Sequence, residues 1–195
     1  MQRYIVAITG ASGVLYGVRL VQILAQKGYE VHLIVSEAAY IVLQQEIGWE
    51  LSFPQQDLKN YFPNKNIFLY MNSDIAAPVA SGSFLTAGMV IIPCSMSTLS
   101  SVAVGLSNNL IERVADVMIK EKRPLTLVPR ETPLSSIHLQ NMLRLSEMGV
   151  SIVPAMPAFY QQPKSVDEMI SFVIGKVLDI MKVPNDSFPR YNGDV

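Results

Sequence analysis

The sequence predicts a single α/β domain, a doubly wound parallel sheet held between helices in three layers. Three observations predict it. The strand-like runs are apolar without polar alternation, so both faces of the sheet must be covered. They alternate with segments of helical periodicity, which implies right-handed parallel crossovers. A glycine turn, Gly10-Ala11-Ser12-Gly13, joins the first run to the first helix. At 195 residues, half of them hydrophobic and 16% charged, one domain over 1–195 can bury a substantial core. Residues 183–195 read as a C-terminal tail.

Arg3 to Thr9 is a β-branched, mostly apolar run, and Val14, Val18, Val21 and Ala25 then share one helical face until Gly28. Val31 to Val35 is a second strand and Glu37 to Ile47 a second helix. Gly48 to Asn66, holding Pro54 and Pro63, has no strong periodicity and reads as an insertion or loop, followed by a short strand at Ile67 to Tyr70. Met89 to Ile92, Leu125 to Val128 and Val150 to Val153 are three further strands. Helices are expected after Cys94, over Leu110 to Lys120 and over Ser136 to Met148. Val166, Met169, Ile170, Val173 and Val177 mark the last one.

Fifteen basic against sixteen acidic residues give a net charge of −1, which argues against nucleic acid as a partner. One cysteine, Cys94, allows no internal disulfide, and the two histidines, His32 and His138, show no metal-ligand spacing. No targeting segment is read at the N-terminus, so a cytoplasmic protein is expected. Ile75 to Ile111 carries no charge, but Pro78, Gly82, Gly88, Pro93 and Gly105 break it, so much of it reads as buried against a ligand, a neighbouring subunit or both rather than as a membrane span.

In such a fold ligands bind beyond the carboxyl ends of the strands, which directs attention to the segments there. Gly10-Ala11-Ser12-Gly13 is either a tight turn needing positive φ or a place where backbone approaches a ligand. Its glycines, with Gly17, do not follow the G-x-G-x-x-G spacing of nicotinamide enzymes. Ser36 and the run Ser95-Met96-Ser97-Thr98 place hydroxyls at two helix starts, where they either cap the helix or bind phosphate. Arg113 and Lys120, seven apart on one helix, form half an anion site or a solvated face. Arg130 and Glu131 directly follow a strand, a position suited to phosphate. Neither histidine has a recognisable carboxylate or serine partner, and Cys94 reads as a small buried hydrophobe.

Taken together, Ile8-Thr9-Gly10-Ala11-Ser12-Gly13, Tyr16-Gly17-Val18-Arg19-Leu20, Ala80-Ser81-Gly82-Ser83, Pro93-Cys94-Ser95-Met96, Lys120-Glu121-Lys122-Arg123-Pro124-Leu125, Arg130-Glu131-Thr132-Pro133-Leu134 and Pro157-Ala158-Phe159-Tyr160 resemble the UbiX-type flavin prenyltransferases. The resemblance implies a Rossmann/flavodoxin-like fold. It implies transfer of a dimethylallyl group from dimethylallyl phosphate to N5 and C6 of reduced FMN, without a metal, to make prenylated FMN for a UbiD-type decarboxylase. It also implies that Gly10, Ala11, Ser12, Ser36, Ser95, Met96, Ser97, Thr98 and Arg130 contact FMN.

The same resemblance assigns the allylic phosphate to Arg113, Lys120, Arg130, Tyr160 and Lys176, with Tyr191 closing over the prenyl group. Glu46, or alternatively Glu131, would take the C6 proton, and Ser12 would lie near N5. The family implies a dodecamer whose sites combine chains, so Tyr160 and Lys176 are expected to complete a neighbour's site. Lys176 stands where arginine is common and Tyr191 where tryptophan is frequent. Two other readings stay open: an FMN-dependent cysteine decarboxylase of the phosphopantothenoylcysteine type, and a non-catalytic FMN carrier.

Overall fold

The computed structural model describes residues 2–190. The chain runs β1 (Arg3–Ile8), α1 (Val14–Gln26), β2 (Glu30–Val35), α2 (Glu37–Ile47), α3 (Pro54–Tyr61), β3 (Ile67–Met71), β4 (Met89–Cys94), α4 (Met96–Ala103), α5 (Leu110–Lys120), β5 (Leu125–Pro129), α6 (Ser136–Glu147), β6 (Ser151–Ile152) and α7 (Val166–Ile180). The six strands form one sheet in the order β3-β2-β1-β4-β5-β6, and every neighbouring pair is parallel. The chain therefore starts at the centre, builds to one edge and returns to build the other. The crevice between the ends of β1 and β4 is the point where that direction reverses.

Strand alternation divides the core between the two faces. Tyr4, Val6 and Ile8 of β1 join Leu33 and Val35 against α1 and α7, whereas Ile5 and Ala7 join Met89, Ile91 and Leu127 against α4 and α5. Each fully buried aliphatic side chain here contributes about 1.5–3 kcal/mol, and both layers are needed to cover the sheet. Helix α1 lies unusually close, because a Cβ on Gly17 would collide with the Ile92 carbonyl and the Ile8 side chain. The third glycine of the turn region thus serves helix-to-sheet packing.

The expected loop at Gly48 to Asn66 is corrected by α3. Pro54 begins that helix and the Asp57 carboxylate accepts from the Phe53 amide at 2.7 Å, closing its first turn. Leu58 and Phe62 are buried, and Trp49 stacks on Tyr61 with ring centres 4.1 Å apart. Eight residues with so few apolar positions give a weak periodic signal, so packing rather than pattern makes this helix. The predicted β6 shortens to two residues.

The segment after Lys182 is docked as far as Arg190. Val183 and Phe188 are buried, Phe188 occupies the space left by the missing side chain of Gly175, and Arg190 pairs with Asp179 at 2.5 Å. That guanidinium holds the Asp179 carboxyl below its ordinary range.

His32 also corrects the sequence reading. Its Nε2 lies 2.8 Å from Glu30 Oε1 and its Nδ1 2.9 Å from the Tyr70 hydroxyl. A neutral ring satisfies both, donating from Nε2 to the carboxylate and accepting at Nδ1 from the phenol. The partner is two residues back on the same strand, hence on the same face. Burial lowers the pKa of His32 below its ordinary 6.5 despite Glu30. Burial works in the opposite direction at Glu30 and is outweighed by the hydrogen bond from His32 and the charge of Arg3, so its carboxyl sits below the ordinary range. In both cases the unfolded chain takes up the proton first, so acidification destabilises. We expect the melting temperature to fall as the pH drops below about 6.5, and His32→Gln to flatten that step while sparing the carboxylate-driven loss at lower pH. An unchanged profile in the variant would contradict the assignment.

Candidate active site at the carboxyl edge of the sheet

The Gly10 to Gly13 turn is held from two sides. Gly13 adopts φ 95°, the left-handed region that favours glycine, and it starts α1 without a side-chain cap of its own. The cap comes from another helix. In the last turn of α2, the Glu46 carboxylate accepts from the Gly13 amide at 2.9 and 3.0 Å and from the Val14 amide at 3.1 Å. A negative group at a helix N-terminus is favoured by both the free amides and the dipole. From the other side, Arg130 Nε donates to the Ser12 carbonyl at 3.1 Å. That bond uses one edge of the guanidinium and leaves the Nη pair, which has no other partner among the described residues, for an anion.

The two serine starts are helix caps. Ser36 Oγ accepts from the Ala39 amide at 3.2 Å, and Ser95 Oγ accepts from the Thr98 amide at 3.3 Å while donating to Thr98 Oγ1 at 3.1 Å. Capping uses the oxygen as acceptor, and the Ser36 O–H proton is still available to donate. Ala11 and Met96 are buried behind these turns, with Ser12 and Ser97 at the surface. Gly10 packs tightly on Ala38, the second residue of α2. Gly10, Ser12, Ser36, Ser95, Ser97, Thr98 and Arg130 thus stand on neighbouring strand ends around the switch point.

Arg130 and Glu131 line a recess with Thr132, Leu134, Met142 and Met156 at the ends of β5 and β6. The Glu131 carboxylate accepts from the Thr132 amide at 2.9 Å. Complete burial of Cys94 pushes its thiol pKa far above the ordinary range, and its Sγ lies 3.6 Å from the Ser95 carbonyl. A group so rarely ionised is no nucleophile. Among the described residues no cluster of three or more metal-ligating side chains occurs, and no helix is long and apolar enough to cross a membrane.

The remaining predicted residues stand on α5, on α7 and in the loop after β6, or fall outside the described residues. Asn72, just past β3, accepts from the Leu110 and Ile111 amides, so α5 begins at the carboxyl edge. Lys120 ends the same helix at the opposite edge, 3.7 Å from Glu121 and close to Arg123, which bonds the Gly82 and Phe84 carbonyls. Arg113 is exposed on the first half of α5, and Lys176 is exposed on α7. Tyr160 lies in the loop after β6 with its ring 6.2 Å from Phe172, and its hydroxyl accepts from Gln161. Tyr191 falls outside the described residues. His138 completes a capping box with Ser135, a second partner that sequence reading did not find. Two residues of the site framework had no assigned role at all. Asn72 meets α5 only through the tertiary fold, whereas Thr9 is signalled by a hydroxyl at the end of an apolar run.

Hydroxyls, helix-start amides and an arginine at the switch point of an open parallel sheet form a donor set suited to a phosphorylated planar ligand. Consistent with that, residues 1–179 match the family model described as Flavoprotein, which defines the class. Within it, the chain is 51% identical over 190 residues to the flavin prenyltransferase UbiX of Halalkalibacterium halodurans, covering 96% of this chain and 92% of that one. The chain belongs to the UbiX flavin prenyltransferase family. Among solved structures it resembles AnUbiX in complex with FMN and dimethylallyl pyrophosphate, with TM-score 0.89, 38% identity, and coverage of 100% of this chain and 99% of that one. It also resembles the dodecameric FMN-dependent UbiX-like decarboxylase of Escherichia coli O157:H7, with TM-score 0.89, 42% identity, and coverage of 98% and 100%.

Proposed function

We propose that this protein is a cytoplasmic flavin prenyltransferase that joins the dimethylallyl group of dimethylallyl phosphate to N5 and C6 of reduced FMN. The observation that carries the reading is the clamped turn, in which Arg130 and Glu46 hold the Ser12-Gly13 backbone from opposite sides. One clamp residue is a cation suited to a leaving phosphate and the other a carboxylate suited to a proton. Reduced FMN supplies two nucleophilic positions, and the allylic C–O bond breaks with its electron pair leaving on phosphate. The Arg130 Nη groups stabilise that phosphate, and the allylic cation requires a surround that excludes water.

Bonding at N5 would replace the N5–H and the allylic C–O bond, and closure at C6 would add a proton to the prenyl C=C as C6 loses its own proton to Glu46, with Glu131 the other carboxylate within the mouth. The serine and threonine caps at Ser36 and Ser95 to Thr98 hold the FMN phosphate, and Ser12 faces the ring. Because Lys120 stands at the far edge of its own sheet, it meets an allylic phosphate only from a neighbouring chain, and we place Arg113, Tyr160 and Lys176 at the same junction. The exposed apolar side chains Ile137, Leu143, Phe159 and Val166 support close subunit contact, and a dodecamer like that of the Escherichia coli neighbour satisfies it. The product is a modified flavin that a UbiD-type decarboxylase consumes.

Anaerobic incubation with reduced FMN and dimethylallyl phosphate tests this reading. We expect one phosphate released per flavin consumed. Carbon dioxide released from a cysteinyl substrate, or tight FMN binding with no phosphate release, would replace it with the decarboxylase or carrier reading.

A further inference from the structure

Strand β4 loses its regular pairing just before the site. Its register with β1 runs Ile5 with Met89, Val6 with Val90 and Ala7 with Ile91, and no further. Its register with β5 shifts between Ile91 and Cys94. Pro93 lies in that interval and has no N–H to give to a ladder. The side chain of Thr9 takes over where the ladder stops. Thr9 is 1% exposed, and its Oγ1 donates to the Pro93 carbonyl at 2.7 Å while accepting from the Ser95 amide at 2.8 Å. The Thr9 amide also donates to the Pro93 carbonyl at 3.2 Å. One hydroxyl therefore ties the residue before the glycine turn to the residue that caps α4. It also engages the Ser95 amide, so that amide is not among those left to meet a ligand phosphate.

We infer that Thr9 is a positioning residue: its buried hydroxyl fixes the Ser95 to Thr98 turn against the Gly10 to Gly13 turn, and so sets the spacing between the phosphate end and the ring end of the flavin site. The inference rests on the FMN reading above. A plain structural role would make Thr9 one more core residue, with binding affected only in proportion to stability. The positioning role separates the two, because removing the hydroxyl leaves the packing intact and lets one turn move relative to the other.

Thr9→Val keeps the volume and removes both side-chain hydrogen bonds, whereas Thr9→Ser keeps the hydroxyl. FMN affinity of the full chain is read by quenching of flavin fluorescence beside thermal melting, with Phe62→Leu, a buried position outside both turns, as a destabilised control. We expect Thr9→Val to weaken FMN binding by about tenfold or more, Thr9→Ser to stay within about threefold of the parent, and Phe62→Leu to bind as the parent does. Affinity within about twofold of the parent for Thr9→Val, no recovery in Thr9→Ser, or an equal loss in a control of matched melting temperature would overturn the inference. If Thr9→Val does not fold, Thr9→Cys, a weaker donor, replaces it and must bind less tightly than Thr9→Ser. Prenyl transfer is scored separately. A parent protein that binds FMN and transfers nothing overturns the functional reading and leaves Thr9 standing, whereas normal FMN binding by Thr9→Val beside active transfer does the reverse.

Discussion

Arg130→Leu lowers kcat/KM for dimethylallyl phosphate by about a thousandfold, the largest single effect expected in this protein. Losing a preorganised donor to a developing oxyanion costs on the order of a hundredfold to a thousandfold. Here the same change also removes the Nε bond at 3.1 Å that holds the Ser12 carbonyl, so the ring end of the site loosens as well. Arg130→Lys separates the two contributions. Lysine restores the charge but cannot bond Ser12 and present a pair of donors to phosphate together. It is expected to recover part of the activity while leaving FMN binding weakened. Full recovery by lysine, measured in steady-state kinetics and flavin titration, would show that the fork geometry is irrelevant.

Glu46→Gln is expected to reduce turnover by about a hundredfold to a thousandfold, within the range for a missing proton acceptor. The amide is nearly isosteric, and its oxygen can still accept from Gly13 or Val14, so FMN affinity and fold should change little. Glu46→Ala removes the cap altogether. It should lower stability by about 1 kcal/mol in addition, since α1 has no other side chain at its N-terminus. If the glutamine variant keeps parental turnover, the carboxylate serves the helix alone and the proton goes elsewhere, Glu131 being the nearest alternative to replace next.

Much of the architecture was legible because buried parallel strands carry an unmistakable pattern. The runs around Val6, Leu33, Ile91 and Leu127 are apolar on both faces, and the intervening helices announce themselves through residues such as Val18 and Val114. Helix α3 was not legible, since its stability comes from Leu58, Phe62 and a Trp49-Tyr61 stack rather than from a repeating stripe. The serine starts were readable only as a pair of alternatives. The structure shows that they cap their helices, and the Ser36 hydroxyl can still donate to a ligand, whereas that of Ser95 donates to Thr98.

Distances across the fold account for the rest. Nothing in local sequence relates Glu46 to Gly13 or Arg130 to Ser12, yet these contacts define the clamp. The seven-residue spacing of Arg113 and Lys120 gave the shared face correctly. It also implies about 10 Å along the helix axis, which separates the two cations towards opposite edges of the sheet. His32 illustrates the opposite error, because its partner Glu30 was close in sequence and visible once the strand's two-residue period was applied.

The most direct test of prenyl transfer is the mass of the flavin after anaerobic incubation of the full chain with reduced FMN and dimethylallyl phosphate. Transfer and ring closure predict a flavin heavier by one five-carbon prenyl unit, formed in proportion to the phosphate released and missing from the Arg130→Leu reaction. A flavin of unchanged mass, recovered from protein that binds FMN under these conditions, would contradict it.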